Sequence, residues 1–113
     1  MALLFQFLVG HALSDFVLQQ QTMAISKSRH AEIHKTAVKG FPDWYYWLGS
    51  HALIHGGAVF LISGSLLLGL IETVVHFIID FCKCEQWIGL HLDQSLHILC
   101  KLAYVYVIYR GWV

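Results

Sequence analysis

Charged residues are scarce in this chain. Asp, Glu, Lys and Arg make up only 12% of its 113 residues, and the formal net charge at pH 7 is zero. A typical soluble domain is about 25% charged, so the composition argues against an ordinary soluble protein. The balance of signs also leaves no basic stripe, and we expect no nucleic-acid partner.

Features of secreted proteins and of serine hydrolases are missing as well. The three cysteines, Cys82, Cys84 and Cys100, are odd in number and lack framework spacing, which argues against a disulfide-stapled secreted fold. The N-terminus has no basic region and no small-residue cleavage site, so residues 1–18 are predicted to be a retained helix. No Gly-x-Ser-x-Gly elbow occurs, and serine-nucleophile chemistry has no support.

Hydrophobic residues are abundant instead: they make up 58% of the chain, and its mean hydropathy is +0.62. They fall into apolar runs near the lower length limit of about 17–25 residues for a membrane helix. The pattern predicts an all-α, four-helix transmembrane bundle formed by one domain, 1–113, with the lipid bilayer as its surroundings. The predicted helices are 2–19, 47–63, 65–83 and 92–109, and 20–46 forms an amphipathic linker. A soluble all-α bundle is the alternative.

Each predicted helix carries ionisable residues four positions apart. They are His11/Asp15, His51/His55, Glu72/His76/Asp80 and Asp93/His97. This spacing places the members of a group on one face of a helix. His, Asp and Glu are ligands of divalent zinc, manganese and iron. The sequence therefore predicts a metal site built from these residues, with zinc as the first choice and manganese or iron as alternatives.

In an up-down-up-down bundle, all nine of these residues fall in the same half of the structure. The loops at that end carry most of the Lys and Arg residues, and the positive-inside rule then places the site in the cytoplasmic half of the membrane. An unpaired carboxylate would cost about 2.5–3.5 kcal/mol at the bilayer centre and less near the interface. The four carboxylates carry four negative charges, which two divalent ions would neutralise, or one ion together with protonated acids.

The motifs resemble those of a bacterial and phage family of small polytopic membrane proteins of unknown function. The matching patterns are GH-x3-D-x3-Q at 10–19, H-x3-H at 51–55, HF-x-ID-x2-K at 76–83 and DQ-x2-H at 93–97. Their order carries the resemblance, which is weakest in the linker. The helix-borne pattern is also similar, more loosely, to that of bacterial inner-membrane metal-dependent hydrolases. The second resemblance implies hydrolysis, and the two together imply a location in a bacterial inner membrane.

The first functional hypothesis is a metal-dependent hydrolase that acts on a lipid or phosphate-bearing substrate. Metal-bound water would supply hydroxide, with Glu72 as a general base or bridging ligand. Lys101 lies four residues beyond His97 and would hold an anionic group, unless it pairs with an acid.

The second hypothesis is a non-enzymatic protein with a structural metal or polar network. It would act through self-assembly as a homo-oligomer or by binding a membrane protein. Ion or proton transport and bis-histidine haem binding are further alternatives. The surplus of carboxylates argues against haem.

Overall fold

Helices are the only regular secondary structure of the fold. The structure, a computed structural model, describes all residues from Met1 to Val113. In chain order the helices are α1 (Ala2–Ala12), a π-helical turn (Leu13–Val17), α2 (Gln21–Ser26), α3 (Ile33–Thr36), α4 (Trp44–Ser63), α5 (Leu66–Cys84) and α6 (Leu90–Tyr109). The chain forms no strand, and the prediction of an all-α fold is confirmed.

None of these helices combines the length and the apolarity that a membrane crossing requires. Helix α1 has only 11 residues, and a crossing needs about 20. The three long helices contain ionisable side chains, among them His51, Glu72 and Lys101, within their apolar sequences. The predictions of a transmembrane bundle and of a location in the bacterial inner membrane, with the site toward its cytoplasmic half, are therefore wrong.

The segment between α1 and α4 also differs from the predicted amphipathic surface helix. It contains two short helices, α2 and α3, and it ends at Asp43, because α4 begins at Trp44. Helix α2 packs against α4, and Lys27, which directly follows it, is only 3% exposed. We call residues 18–43 the linker. It folds over the end of the bundle that contains the polar residues.

Helices α4 and α5 form a tight hairpin. Gly64 ends α4 with φ +72°, a conformation that glycine adopts without strain, and the Ser65 hydroxyl accepts a hydrogen bond from the amide of Leu68 at the start of α5. Further along, Gly56 and Gly69 meet backbone to backbone, and a Cβ added at Gly69 would lie 2.9 Å from the carbonyl oxygen of Gly56. This close approach brings the polar faces of the two helices together.

The interior of the bundle has two layers. The apolar layer is a small core formed by Phe7, Val59, Leu68 and Tyr104. The polar layer lies beside it along the same helices and contains the nine predicted site residues. Across the whole molecule only six buried residues are large or small hydrophobics, whereas thirteen are polar or charged. The fold thus surrounds a polar centre with helices whose outer faces are largely apolar.

Candidate metal centre

All nine predicted site residues are buried and adjoin one another. None is more than 7% exposed. Contacts of 3.3–3.8 Å between imidazole nitrogens and carboxylate oxygens connect them into one cluster. Its members are His11, Asp15, His51, His55, Glu72, His76, Asp80, Asp93 and His97. Within the cluster, three groups of donor atoms lie close enough together to hold a metal ion, and one of them, Glu72, His76 and His97, shares its histidines with the two described next.

The first, which we call the four-donor group, consists of Asp15, His51, His55 and His76. One ligand atom from each lies within 4.8 Å of the others. Nε2 of His51 and Nε2 of His55 are 3.3 and 3.6 Å from Oδ1 of Asp15. These three atoms and both ring nitrogens of His76 are buried without a hydrogen-bond partner. A buried polar atom without a partner costs roughly 1–3 kcal/mol of folding free energy. The group is therefore arranged to bind a species that accepts its lone pairs, such as a metal cation.

A change of helix type places Asp15 in this group. Residues Leu13–Val17 form a π-helical turn, closed by a 2.8 Å hydrogen bond from the amide of Leu18 to the carbonyl of Leu13. Such turns are rare and occur often at functional sites. Gln94 of α6 donates a 2.6 Å hydrogen bond to Oδ2 of Asp15. One oxygen is therefore held by Gln94, and the other faces the histidines of α4.

The second, which we call the three-donor group, consists of Asp80, Asp93 and His97. Nε2 of His97 is 3.6 Å from Oδ1 of Asp80 and 3.4 Å from Oδ1 of Asp93, and none of these three atoms has a hydrogen-bond partner. The Oδ2 atoms are occupied: Lys27 donates to Asp80 at 2.5 Å and Lys83 to Asp93 at 3.3 Å. Each aspartate again divides its two oxygens between a hydrogen-bond donor and the cluster.

Glu72 lies where the polar and apolar layers meet. Its Oε1 accepts a hydrogen bond from Lys101 at 2.5 Å, and its Oε2 accepts one from Tyr104 at 2.8 Å. Burial alone would raise the pKa of Glu72, but His76, Lys101 and Tyr104 lower it to about 2. The two residues predicted to be catalytic thus contact each other. Glu72 Oε1 is also 3.5 Å from Nδ1 of His76, in the position of a carboxylate that orients a ligating histidine.

The histidines of the cluster differ in protonation. Burial lowers the pKa of His55 to about 4 and that of His76 to about 3, so both are neutral at pH 7. Burial also lowers the pKa of His97, but Asp80 and Asp93 raise it by more, to about 8. Only neutral imidazole binds a metal ion. The histidines of the four-donor group that show shifts are therefore already in their ligating form.

The cluster also contacts residues that the pattern of ionisable residues four positions apart did not predict. Lys27, Lys83, Gln94 and Tyr104 all bond to its carboxylates. Lys83 and Gln94 lie three residues after Asp80 and one after Asp93, so the motifs themselves pointed to them. Lys27 is separated from Asp80 by 53 positions. No local pattern marks it, because its role depends on where the linker folds.

Access to the donors is closed. None of the molecule's cavities is lined by any of the nine residues. The linker covers the polar end of the bundle, and Arg29 holds it there with a bidentate ion pair to Glu85 at 2.7 and 2.9 Å. His30 contacts the same carboxylate at 3.1 Å. An ion or substrate would reach the donors only after a local opening.

Comparison with known proteins gives a family but no characterised relative. A family model described as "Protein of unknown function (DUF3307)" matches residues 3–111. No curated protein and no solved structure matches the chain. The predicted resemblance to a family of unknown function is confirmed. The bacterial and phage membrane character of that family, the motif order as its signature and the looser similarity to metal-dependent hydrolases stay predictions.

Proposed function

The chain belongs to the DUF3307 family, whose function is unknown, and we propose that it is a metal protein with one primary divalent ion. The ion is bound by Asp15, His51, His55 and His76. Three imidazole nitrogens and one carboxylate oxygen form a donor set typical of Zn²⁺, with Mn²⁺ or Fe²⁺ as alternatives. The observation that carries the proposal is the convergence of buried donor atoms that lack hydrogen-bond partners.

The charges of the cluster favour one ion over two. Ammonium groups contact three of the four carboxylates: Lys27 contacts Asp80, Lys83 contacts Asp93 and Lys101 contacts Glu72. Four negative and three positive charges leave −1 when all five histidines are neutral and 0 when His97 carries its proton, so one divalent ion brings the cluster to +1 or +2 and a second to +3 or +4. Uncompensated buried charge is costly. Asp15, the carboxylate without a lysine partner, belongs to the four-donor group.

We propose a structural role for this ion. Four protein donors complete a tetrahedral shell, and a closed shell is characteristic of structural sites, whereas catalytic sites keep a position for water. The donors come from the π-helical turn, α4 and α5, so the ion would link three elements of the polar layer. A chain held together in this way would act through self-assembly or by binding another protein.

Metal-dependent hydrolysis of a phosphate-bearing substrate is the second candidate. It is supported by the three-donor group, because three protein ligands leave room for a metal-bound water. Glu72 would act as the general base; Lys101, predicted to hold an anion unless it pairs with an acid, instead bonds to Glu72. A hydrolase would lose activity toward a phosphate ester in Glu72→Gln while its metal content stays unchanged.

Metal analysis of the purified chain after dialysis against Zn²⁺ tests the primary proposal. We expect about one equivalent in the wild-type protein and none in His55→Ala, because Nε2 of His55 is a predicted ligand. His91→Ala is the matched control, since His91 is an exposed histidine on α6, and it should keep the ion. A wild-type chain that retains no divalent metal, or a His55→Ala variant that retains all of it, would contradict the proposal.

A further inference from the structure

We infer that the three-donor group is a second, separate cation position, and that Lys27 controls its occupancy. The ammonium group of Lys27 stands in for a divalent cation beside Asp80. A divalent ion binds there tightly only when Lys27 withdraws. This goes beyond the single ion proposed above, and it concerns different ligands.

The donor atoms of this position are built into the fold. Asp80 and Asp93 are fully buried and His97 is 1% exposed. One ligand atom from each residue lies within 4.8 Å of the others, and Oδ1 of each aspartate and Nε2 of the histidine have no hydrogen-bond partner. Two carboxylate oxygens and one neutral imidazole nitrogen suit an ion such as Mn²⁺, and binding there displaces the proton that His97 carries at pH 7. An acidic pair alone would not define a site, but the buried imidazole directed at both oxygens does.

Two lysines already supply positive charge to this group. Lys27 bonds to Oδ2 of Asp80 at 2.5 Å, and Lys83 bonds to Oδ2 of Asp93 at 3.3 Å. An ammonium group in direct contact with a ligand carboxylate repels an incoming dication. The ammonium group also competes with the dication for interaction with the carboxylate. The affinity for a second ion must therefore depend on whether these ammonium groups stay in place.

Lys27 is the lysine that can leave without disturbing the donors. The donors lie on α5 and α6, helices of 19 and 20 residues. Lys27 follows α2, which has six residues, and it belongs to the linker. The linker's ion pair from Arg29 to Glu85 is exposed on the arginine side, where solvent weakens it. Lifting the linker would remove Lys27 and open the group in one movement.

The test is a Mn²⁺ titration of the full chain preloaded with one equivalent of Zn²⁺, followed by the electron paramagnetic resonance signal of free Mn²⁺. Zn²⁺ outcompetes Mn²⁺ at the nitrogen-rich four-donor group, so added Mn²⁺ reports on the second position. We expect Lys27→Met to bind Mn²⁺ roughly 5- to 150-fold more tightly than the wild type, the usual range for coupled sites. Lys27→Arg, which keeps the charge, should resemble the wild type.

Three further variants complete the test. Lys35→Met removes an exposed linker lysine and should change nothing. Adding Asp93→Asn to Lys27→Met should abolish the gain. Lys83→Met removes the second ammonium group from a partly exposed position. It replaces Lys27→Met in the test if that variant does not fold, and it should also raise the affinity for Mn²⁺.

An unchanged affinity in folded Lys27→Met, or a gain that survives Asp93→Asn, would overturn the inference. Repeating the titration in Asp15→Asn separates it from the primary site. Asp15→Asn should lose Zn²⁺ from the four-donor group, and Lys27→Met should still raise the affinity for Mn²⁺ in that variant.

Discussion

The two layers of the bundle are built from the same helices and held together in different ways. In the apolar layer, Phe7 of α1, Val59 of α4 and Leu68 of α5 pack against Tyr104 of α6. About one or two turns away from this core, α1, α4, α5 and α6 place ionisable side chains in the interior, where α4 also buries the apolar Leu48 and Ala52. Burial of hydrocarbon stabilises the apolar layer by itself. Burial of the polar layer is unfavourable until its donor atoms find partners.

This difference explains why the lysines and the glutamine are where they are. Every carboxylate of the polar layer has one oxygen engaged by Lys27, Lys83, Gln94 or Lys101. The remaining free atoms are concentrated around the histidines. The polar layer is thus partly satisfied by the chain itself, and we expect an ion to complete it. Three changes that act on one layer or on their common contact test this comparison.

Removal of metal should have the largest effect, and it should act on the polar layer. Structural zinc contributes about 10–16 kcal/mol in small domains that fold only with metal. We expect a chelator to lower the melting temperature strongly and to speed amide hydrogen exchange around His51 and His55 before it does so around Val59. The His55→Ala variant should show no further response to chelator. Uniform exchange along α4 would contradict a difference between the layers.

Truncation of the apolar layer should have the next largest effect and should spare the metal. Phe7 is 1% exposed, and Phe7→Ala should cost about 3–5 kcal/mol of unfolding free energy because it leaves a cavity. Phe5→Ala is the matched control, since Phe5 is 69% exposed, and it should change stability by about 0.5 kcal/mol or less. Denaturant unfolding measures both. Loss of bound Zn²⁺ in folded Phe7→Ala would show that the layers are not separable.

The α4–α5 contact belongs to both layers. Replacing either of two neighbouring glycines of α4, Gly56 and Gly57, with alanine should change the stability of the fold in opposite directions. A Cβ at Gly56 would lie 2.5 Å from the carbonyl oxygen of Gly69, whereas a Cβ at Gly57 would meet nothing within 4 Å. Gly56→Ala should therefore destabilise the fold by about 1–3 kcal/mol. Gly57→Ala should stabilise it by about 0.5–1 kcal/mol, because alanine favours the helix. Thermal unfolding of the pair checks this, and equal shifts would contradict it.

The sequence correctly predicted the all-α fold and the helices that carry the polar residues, but the prediction of membrane-spanning helices was wrong. A spacing of four is a local property of a helix, so the members of each ionisable group were correctly placed on one helix face. Composition suggested membrane helices because apolar residues outnumber charged ones. Each helix must meet the length and the apolarity of a membrane span by itself, and none does: α1 has only 11 residues, and the long helices include His51, Glu72 or Lys101.

Sequence by itself determined which side chains each helix could present: periodicity acts over one or two turns and needs no knowledge of neighbours. Only the tertiary structure decided which atoms meet. Lys27 reaches Asp80 across 53 positions and Gln94 reaches Asp15 across 79, and both contacts depend on helix packing and on the fold of the linker. The same packing decides that Asp15, without an ammonium partner, faces His51 and His55. That arrangement is the basis for the metal site proposed here.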